Sequence, residues 1–513
     1  MLKRRTTVQD NLMAPRKHPA DYRRRRRPIS PAVVARGTGL LLLLLLAAWF
    51  GLPFLLRAGR FRPVLESVFR GTLGRPASIR EVRYSLRSGG LVASDLSIDE
   101  DPAFGAQPFL LARTVTFQTG VLPLLFSSEP EIAGITFDDA QVSLKQDRDG
   151  NWNFYGMLAA ADRAPSGVRP ARVRLTHGLV RVAGPRDDRK PMIFRDVDCN
   201  FTNPSLNRTS RLSLSAAFEG GGSLNLDGTA GPLGWNRGSP AIPASLLVNV
   251  KGVNLEESRL FEEAPGVAGV LSFDASVESD GGTVQVSGEG RVDKVRLSRN
   301  GAAGQPVRAA FSLRHDPSAH TGSLSRFDLR VAAGFAGVTG SYLFPPAGPL
   351  ELHFQATANA ASVTDLAALV PAAGYRFPAG SGLLGGLLFA ELKIDGPADH
   401  PVVAGTVSIN NTHVNGFELA DKLAGIDALN VHDLGRDVDL TLWSASVRLS
   451  ADGGTFEEVR AAISGFGEMA GRGAIGSNGA LDFRMTGMRP GSAPVPFTVR
   501  GTSSDPVFRP GLQ

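Results

Sequence analysis

The sequence predicts a mainly β protein: a single N-terminal transmembrane helix, then a long, twisted antiparallel β-sheet curled into an open apolar groove, with a few short helices. Three observations predict it. One uncharged apolar run sits near the front, a period of two dominates the rest of the chain, and glycine-rich turn signals recur at short intervals.

Residues 1–36 form a basic tail, with eleven Lys and Arg against Asp10 and Asp21. The run Arg23, Arg24, Arg25, Arg26 and Arg27 belongs to it and predicts a cytoplasmic N-terminus, because basic flanks stay inside. Residues 37–57 are the predicted span. Its first twenty residues carry no charge and reach about 30 Å as a helix, the thickness of a hydrocarbon core. Leu40, Leu43, Leu46, Trp49, Phe50 and Phe54 are its anchoring side chains. The run exceeds the apolar centre of a secretory signal, and "FLLRAGRFRP" offers no small-residue cleavage pattern, which predicts an uncleaved signal anchor.

The chain carries +6 in total and +9 in its first 36 residues, which leaves −3 for the remainder. On charge grounds the body is no nucleic-acid binder. Cys199 is the single cysteine. It can form no internal disulfide and reads as a structural residue.

Beyond residue 57 apolar and polar residues alternate, most clearly in "LELHFQATAN", where Leu350, Leu352, Phe354, Ala356 and Ala358 share one face. Leu212, Leu214, Ala216 and Phe218 do the same in "RLSLSAAF", and further strands read in "SLNLDG", "TVQVSG" and "LDFRM". In "VDLTLWSASVRLS" the set Val438, Leu440, Leu442 changes phase to Ala445, Val447, Leu449, which predicts a β-bulge near Trp443. Turns are expected at "EGGGS", "SDGGT", "ADGGT" and "GSNGA", and "DRDGNWNF" reads as a hairpin with Trp152 and Phe154 on its return strand. Short helices are expected in "NLEESRLFEEA", "SVTDLAALV" and "ADKLAGIDAL", each with a capping residue near its start. "AADRAPSGVRPA" marks a boundary, so the body divides into 58–160, 161–345 and 346–513.

Reactive constellations do not emerge. His315 and His320 are spaced for neither a helix face nor a strand face. "GRGAIG" (471–476) matches a dinucleotide fingerprint, but a turn and a strand come next where a helix is needed, so it reads as a glycine-rich hairpin. Asp138, Asp139, Glu262 and Glu263 read as solvated carboxylates. The expectation is a protein that is no enzyme and uses no metal or cofactor.

An antiparallel sheet with one apolar face must cover it with a second sheet, by closure, or with a ligand. Twenty to twenty-five strands at about 4.8 Å would extend about 100 to 120 Å, too far for an ordinary barrel. A long groove lined by Leu212, Leu214, Phe218, Leu350, Leu352 and Phe354 then suits acyl chains, each methylene of which gains about 0.8 kcal/mol on leaving water. The alternative is a scaffold that holds client proteins by strand addition.

"LGRPASIREVRYSL" (73–86), "GLVASDLSIDEDPAFG" (90–105), "PFLLARTVTFQTGVLPLLF" (108–126) and "EIAGITFDDAQVSLKQDRDGNWNF" (131–154) resemble, in order and spacing, the N-terminal region of the AsmA family of bacterial envelope proteins. "FAELKIDGPADHPVVAGTVSINNTHVNGFEL" and "PVPFTVRGTSSDPVFRP" are similar to its C-terminal region. The chain departs from the family pattern at "LRSGGL", where a proline is usual. The resemblance implies a single pass through the inner membrane, a periplasmic repeating β-groove, a role in outer-membrane biogenesis and lipid transport, and as partners membrane, phospholipid and other envelope proteins.

Overall fold

The computed structural model describes residues 58–511 except 86, 120–131, 148–150, 158–159, 161–170, 185–189, 204–207, 233–240, 259–266, 298–300, 346–347, 430 and 432–434. Two compact units divide the chain, 1–55 and 56–513, and all the described residues belong to the second. The proposed anchor, with Leu40, Leu43, Leu46, Trp49, Phe50 and Phe54, and the Arg23 to Arg27 run lie outside the described residues. Among the described residues no helix is long and apolar enough to cross a membrane.

Among the described residues, alternation produces one sheet of 25 strands that does not close on itself. β1 (Ala77–Ser78) and β2 (Glu81–Ser85) pair with the same side of β3 (Gly90–Ile98), and β4 (Leu110–Gln118) and β5 (Gly134–Lys145) continue antiparallel. β6 (Arg172–Ala183) joins β5 in parallel. The chain between them contains the expected boundary segment, and the sheet continues across it with a change of ladder polarity. From β6 every step is antiparallel, through β7 (Met192–Thr202), β8 (Ser210–Phe218), β9 (Ser223–Ala230), β10 (Ala244–Asn254), β11 (Ala268–Ser279), β12 (Val284–Arg296), β13 (Val307–Asp316), β14 (Thr321–Val331), β15 (Gly334–Leu343) and β16 (Glu351–Ser362). β16 then pairs directly with β18 (Leu387–Pro397), while the short β17 (Gly382–Leu384) pairs with the far end of β19 (Val402–Asn415). β20 (Val438–Ser450), β21 (Gly453–Ile463), β22 (Gly467–Gly476), β23 (Ala480–Met488), β24 (Val495–Thr502) and β25 (Asp505–Pro510) complete it.

Four glycine-rich signals make the β8–β9, β11–β12, β20–β21 and β22–β23 hairpins. "GRGAIG" lies within β22. Among the described residues "DRDGNWNF" returns through a Gln146–Trp152 bridge and forms no return strand. Trp152 and Phe154 stack with ring centroids 5.9 Å apart.

Bulges keep the apolar set on one face. An inserted left-handed residue shifts side-chain alternation by one. Asp95 (φ 51) does so in β3 between Ala93 and Leu96, His177 (φ 51) in β6 between Leu175 and Gly178, and Ala360 (φ 53) in β16 between Ala358 and Ala361. In β19 it is Asn411 (φ 52), and across from it the β20–β21 register shifts at Leu440/Leu442 and at Ser444/Ser446, on either side of Trp443. This is the irregularity expected near Trp443. Leu442, which alternates in sequence with Val438 and Leu440, is 38% exposed.

Helices are few. α1 (Arg62–Leu73) was not anticipated, yet Pro63 opens it and Gly74, left-handed at φ 69, closes it by donating to the Arg70 carbonyl. Phe61, Leu65 and Phe69, four apart, are its buried stripe. α2 (Leu255–Ser258) begins where the Asn254 side chain accepts from the Glu256 N–H, and α3 (Val363–Ala367) where the Ser362 hydroxyl accepts from the Asp365 N–H. α4 (Leu419–Leu423) has no side-chain cap; Glu418 precedes it at φ 52.

Candidate functional site

Register builds the site. Tyr84, Leu91, Phe117, Ile135, Val173, Phe201 and Leu212 are successive cross-strand partners from β2 to β8. The row continues through Gly228, Leu246, Val277, Val286, Leu313 and Leu324. Gly340, Phe354, Ile394, Val403, Leu449, Gly454, Ile475, Leu481, Gly501 and Pro506 carry it to β25. Every member after Tyr84 is apolar or glycine. At about 4.8 Å per strand the row runs along the ladder for about 100 Å. One residue away the row is chiefly polar, with Arg174, Asn200, Ser213, Asp227, Ser276 and Ser287.

Exposure divides this apolar face. At β3 and β4, Leu91, Val115 and Phe117 are at most 1% exposed, and Phe69 of α1 packs edge to face on Phe117. From Ile135 to Val403 the large side chains of the row are half-buried, including Val173, Phe201, Leu246, Leu313 and Ile394. Among the described residues no helix seals them as α1 seals β3 and β4. Toward the C-terminus, Leu419 and Leu423 of α4, with Ile426 and Leu429, pack on Phe466, Met469 and Phe497 and close one margin of the last strands.

Leu212 and Phe354 lie in the long row, and Leu214 and Leu352 in rows beside it, all four half-buried. Leu350 precedes β16 and is half-buried. Phe218 differs from the expectation of an open lining residue. It is 6% exposed and packs with Val250 and Val253, with its ring centroid 5.0 Å from that of Phe194.

Sequence reading missed one polar break in this face. His315 of β13 and Tyr342 of β15 stack with centroids 5.8 Å apart across β14, and the Tyr342 hydroxyl is 3.3 Å from the His315 Nδ1. Gly322 of β14 makes this possible, since a Cβ there would meet the Tyr342 ring at 2.1 Å. Burial pushes the His315 imidazole below its ordinary value and the Tyr342 phenol above its own.

A cavity of about 1090 Å³ lies away from the long apolar row. It spans β6 to β12 and touches residues 213–215, 225–227, 247–249, 274–276 and 287–289. The outer members of each trio point to the polar side, so the cavity lies there, over the backbone of Leu214, Leu226 and Val248. The residues of the long apolar row do not line this cavity.

Other chemistry is sparse among the described residues. Asp138, Asp139 and His177 bring ligand-type atoms within 4.8 Å of one another. Their charges are already matched, with Asp138 3.1 Å from the His177 Nδ1 and Asp139 3.1 Å from Arg113. The hydrogen bond between them lowers the Asp138 carboxyl and raises the His177 imidazole. Burial raises the Cys199 thiol, which disfavours the thiolate a nucleophile requires.

The "DRDGNWNF" segment carries a buried polar cluster that spacing did not reveal. The Asn153 side chain, 1% exposed, donates to Glu100 Oε2 and to the Ser143 carbonyl, both at 2.8 Å, and accepts from the Lys145 N–H at 3.1 Å. Glu100 pairs with Arg75 at 2.9 Å, and Arg75 also donates to the Asn153 carbonyl. The residues are joined as scaffold. Compared with known proteins, the chain matches no family model, no curated protein and no solved structure.

Proposed function

We propose that this chain is a bacterial inner-membrane protein of AsmA type, anchored by residues 37–57 with its body in the periplasm, that holds or conducts phospholipid acyl chains along the apolar trough. The supporting observation is the long apolar row, half-buried from Ile135 to Val403 and, among the described residues, unroofed by any helix like α1. A sixteen-carbon chain crossing water bare loses about 12 kcal/mol of apolar transfer free energy. A continuous trough removes most of that barrier with no chemical step, so the protein needs no catalytic residue and no cofactor.

Strand addition to a client protein is less well supported. One edge of the ladder is β25, which carries Pro506 and Pro510, and proline has no N–H to offer a further strand there. The test is mass spectrometry of lipids that co-purify with the detergent-extracted protein. Phospholipid enrichment over a control anchored protein is expected, together with its loss in Leu352→Glu at unchanged thermal stability. Absence of enrichment, or unfolding of the variant, contradicts the reading.

A further inference from the structure

Arg291 of β12, Arg308 of β13 and Arg330 of β14 are direct register partners. Three arginines therefore share the polar face of adjacent strands, about 4.8 Å apart. Like charges set opposite one another destabilise a sheet. Arg291 is compensated by Asp293 at 2.6 Å. Arg308 and Arg330, both exposed, have no carboxylate at ion-pair distance among the described residues.

The next partner in this row is Phe335 of β15, with the Arg330 guanidinium 5.7 Å from its ring centroid. Phe335 is 39% exposed. Along the same margin α3 and the turn Val370–Ala373 form a strap. Asp365 accepts from the Ala333 N–H at 3.0 Å, and the Ala372 carbonyl from the Leu297 N–H at 2.9 Å. That carboxylate is thus engaged away from the arginines, and Leu297 is left 56% exposed. The body beyond residue 36 carries −3 in total, so the row is opposite in sign to the body's net charge.

We propose that this margin docks the body on a bilayer surface bearing anionic phospholipid. Arg291, Arg308 and Arg330 lie on the phosphates, while Phe335 and Leu297 enter the boundary between headgroups and acyl chains. The arginines alone would suit any polyanion. The exposed aromatic and aliphatic side chains beside them favour a bilayer, which offers an apolar phase. Docking here rests on the lipid-handling reading for its purpose, since the margin borders the trough, but its test is independent of the trough.

Full-length protein in phosphatidylcholine nanodiscs is mixed with sedimentable vesicles of phosphatidylcholine, with or without one third phosphatidylglycerol. Three arginines near an anionic surface predict a preference of about a hundredfold for the anionic vesicles at low salt, lost at high salt. The double variant Arg308→Gln, Arg330→Gln is expected to bind about thirtyfold more weakly, and Phe335→Ser to bind more weakly than the parent. A matched control at another cross-strand pair, Arg472→Gln, Arg484→Gln, should leave binding unchanged. The basic tail adds its own preference for the anionic vesicles, so the margin is read from the difference between the parent and the Arg308/Arg330 variant, in which the tail is unchanged. Parental binding by the Arg308/Arg330 variant overturns the proposal, as does equal binding to both vesicles, or duplex DNA that displaces the vesicles in an Arg308- and Arg330-dependent way. Lipid co-purification without vesicle docking removes this proposal alone; docking without co-purified lipid removes the trough reading alone.

Discussion

Phe69 of α1 meets Phe117 of β4 edge to face, with ring centroids 5.8 Å apart and planes at 61°. That contact belongs to the sealed end of the sheet's apolar face, from which the ribbon runs on with its apolar side half-covered. Phe117→Ala is therefore expected to cost about 3–5 kcal/mol. Leu313→Ala, in the same long arrangement of strands but half-buried, should cost under about 2 kcal/mol, because less of the side chain leaves water on folding. Chemical denaturation of the two variants checks the difference.

Asn153 ties the "DRDGNWNF" segment to Glu100 and, through its carbonyl, to Arg75. Asn153→Ala removes the only hydrogen bond to Glu100 Oε2 among the described residues, leaving Lys145 Nζ 3.9 Å away, and is expected to cost about 3 kcal/mol. Hydrogen exchange should rise locally around residues 143–157, with β20 to β25 unchanged.

Two histidines should titrate on opposite sides of the ordinary imidazole value of about 6.5. The Asp439 carboxylate, 2.8 Å from His413, raises that ring, and burial lowers His315. The His413–Asp439 pair stabilises the fold below the ordinary value, and its contribution is lost as pH rises through the elevated one. His315 behaves inversely: its contribution is present above the ordinary value and lost as pH falls through the depressed one. Imidazole resonances tracked by NMR should show this. Asp439→Asn is expected to lower His413 toward the ordinary value, with Asp437, 3.7 Å from its Nε2, still holding it up, and Gly322→Ala, by displacing the Tyr342 ring, to raise His315 toward it.

Ala360 sits at φ 53 in the β16 bulge, where a side chain costs about 1–2 kcal/mol relative to the right-handed region. Ala360→Gly should stabilise by about 0.5–1 kcal/mol, and Ala360→Val should destabilise by at least about 1 kcal/mol. Thermal melts of the three proteins decide it.

Period-two alternation in β8, β16 and β23 is enough to foretell strands, because each buries one face. Hairpins at 219–223 and 451–455 were legible because their glycines stand between alternating runs. α1 was overlooked even though Pro63, Gly74 and the Phe61, Leu65, Phe69 spacing signal it, since it comes directly after an apolar run that dominates the local pattern. Most bulges escaped notice for a physical reason. His177 and Ala360 are not glycine, and only a change of apolar phase marks them. Phe218 alternates like Leu212 and Leu214, so no pattern could show that Val250 and Val253, from β10, would bury it. The Asn153 cluster and the arginine row depend on register between strands distant in sequence.

The most direct measurement places a photo-activatable side chain at Leu212, Leu313 or Phe117 in turn and identifies adducts by mass spectrometry after illumination in cells. An unroofed trough that carries acyl chains predicts phospholipid adducts at Leu212 and Leu313 and none at Phe117, which α1 covers. Adducts absent from all three positions, or confined to segments of this same polypeptide, contradict it.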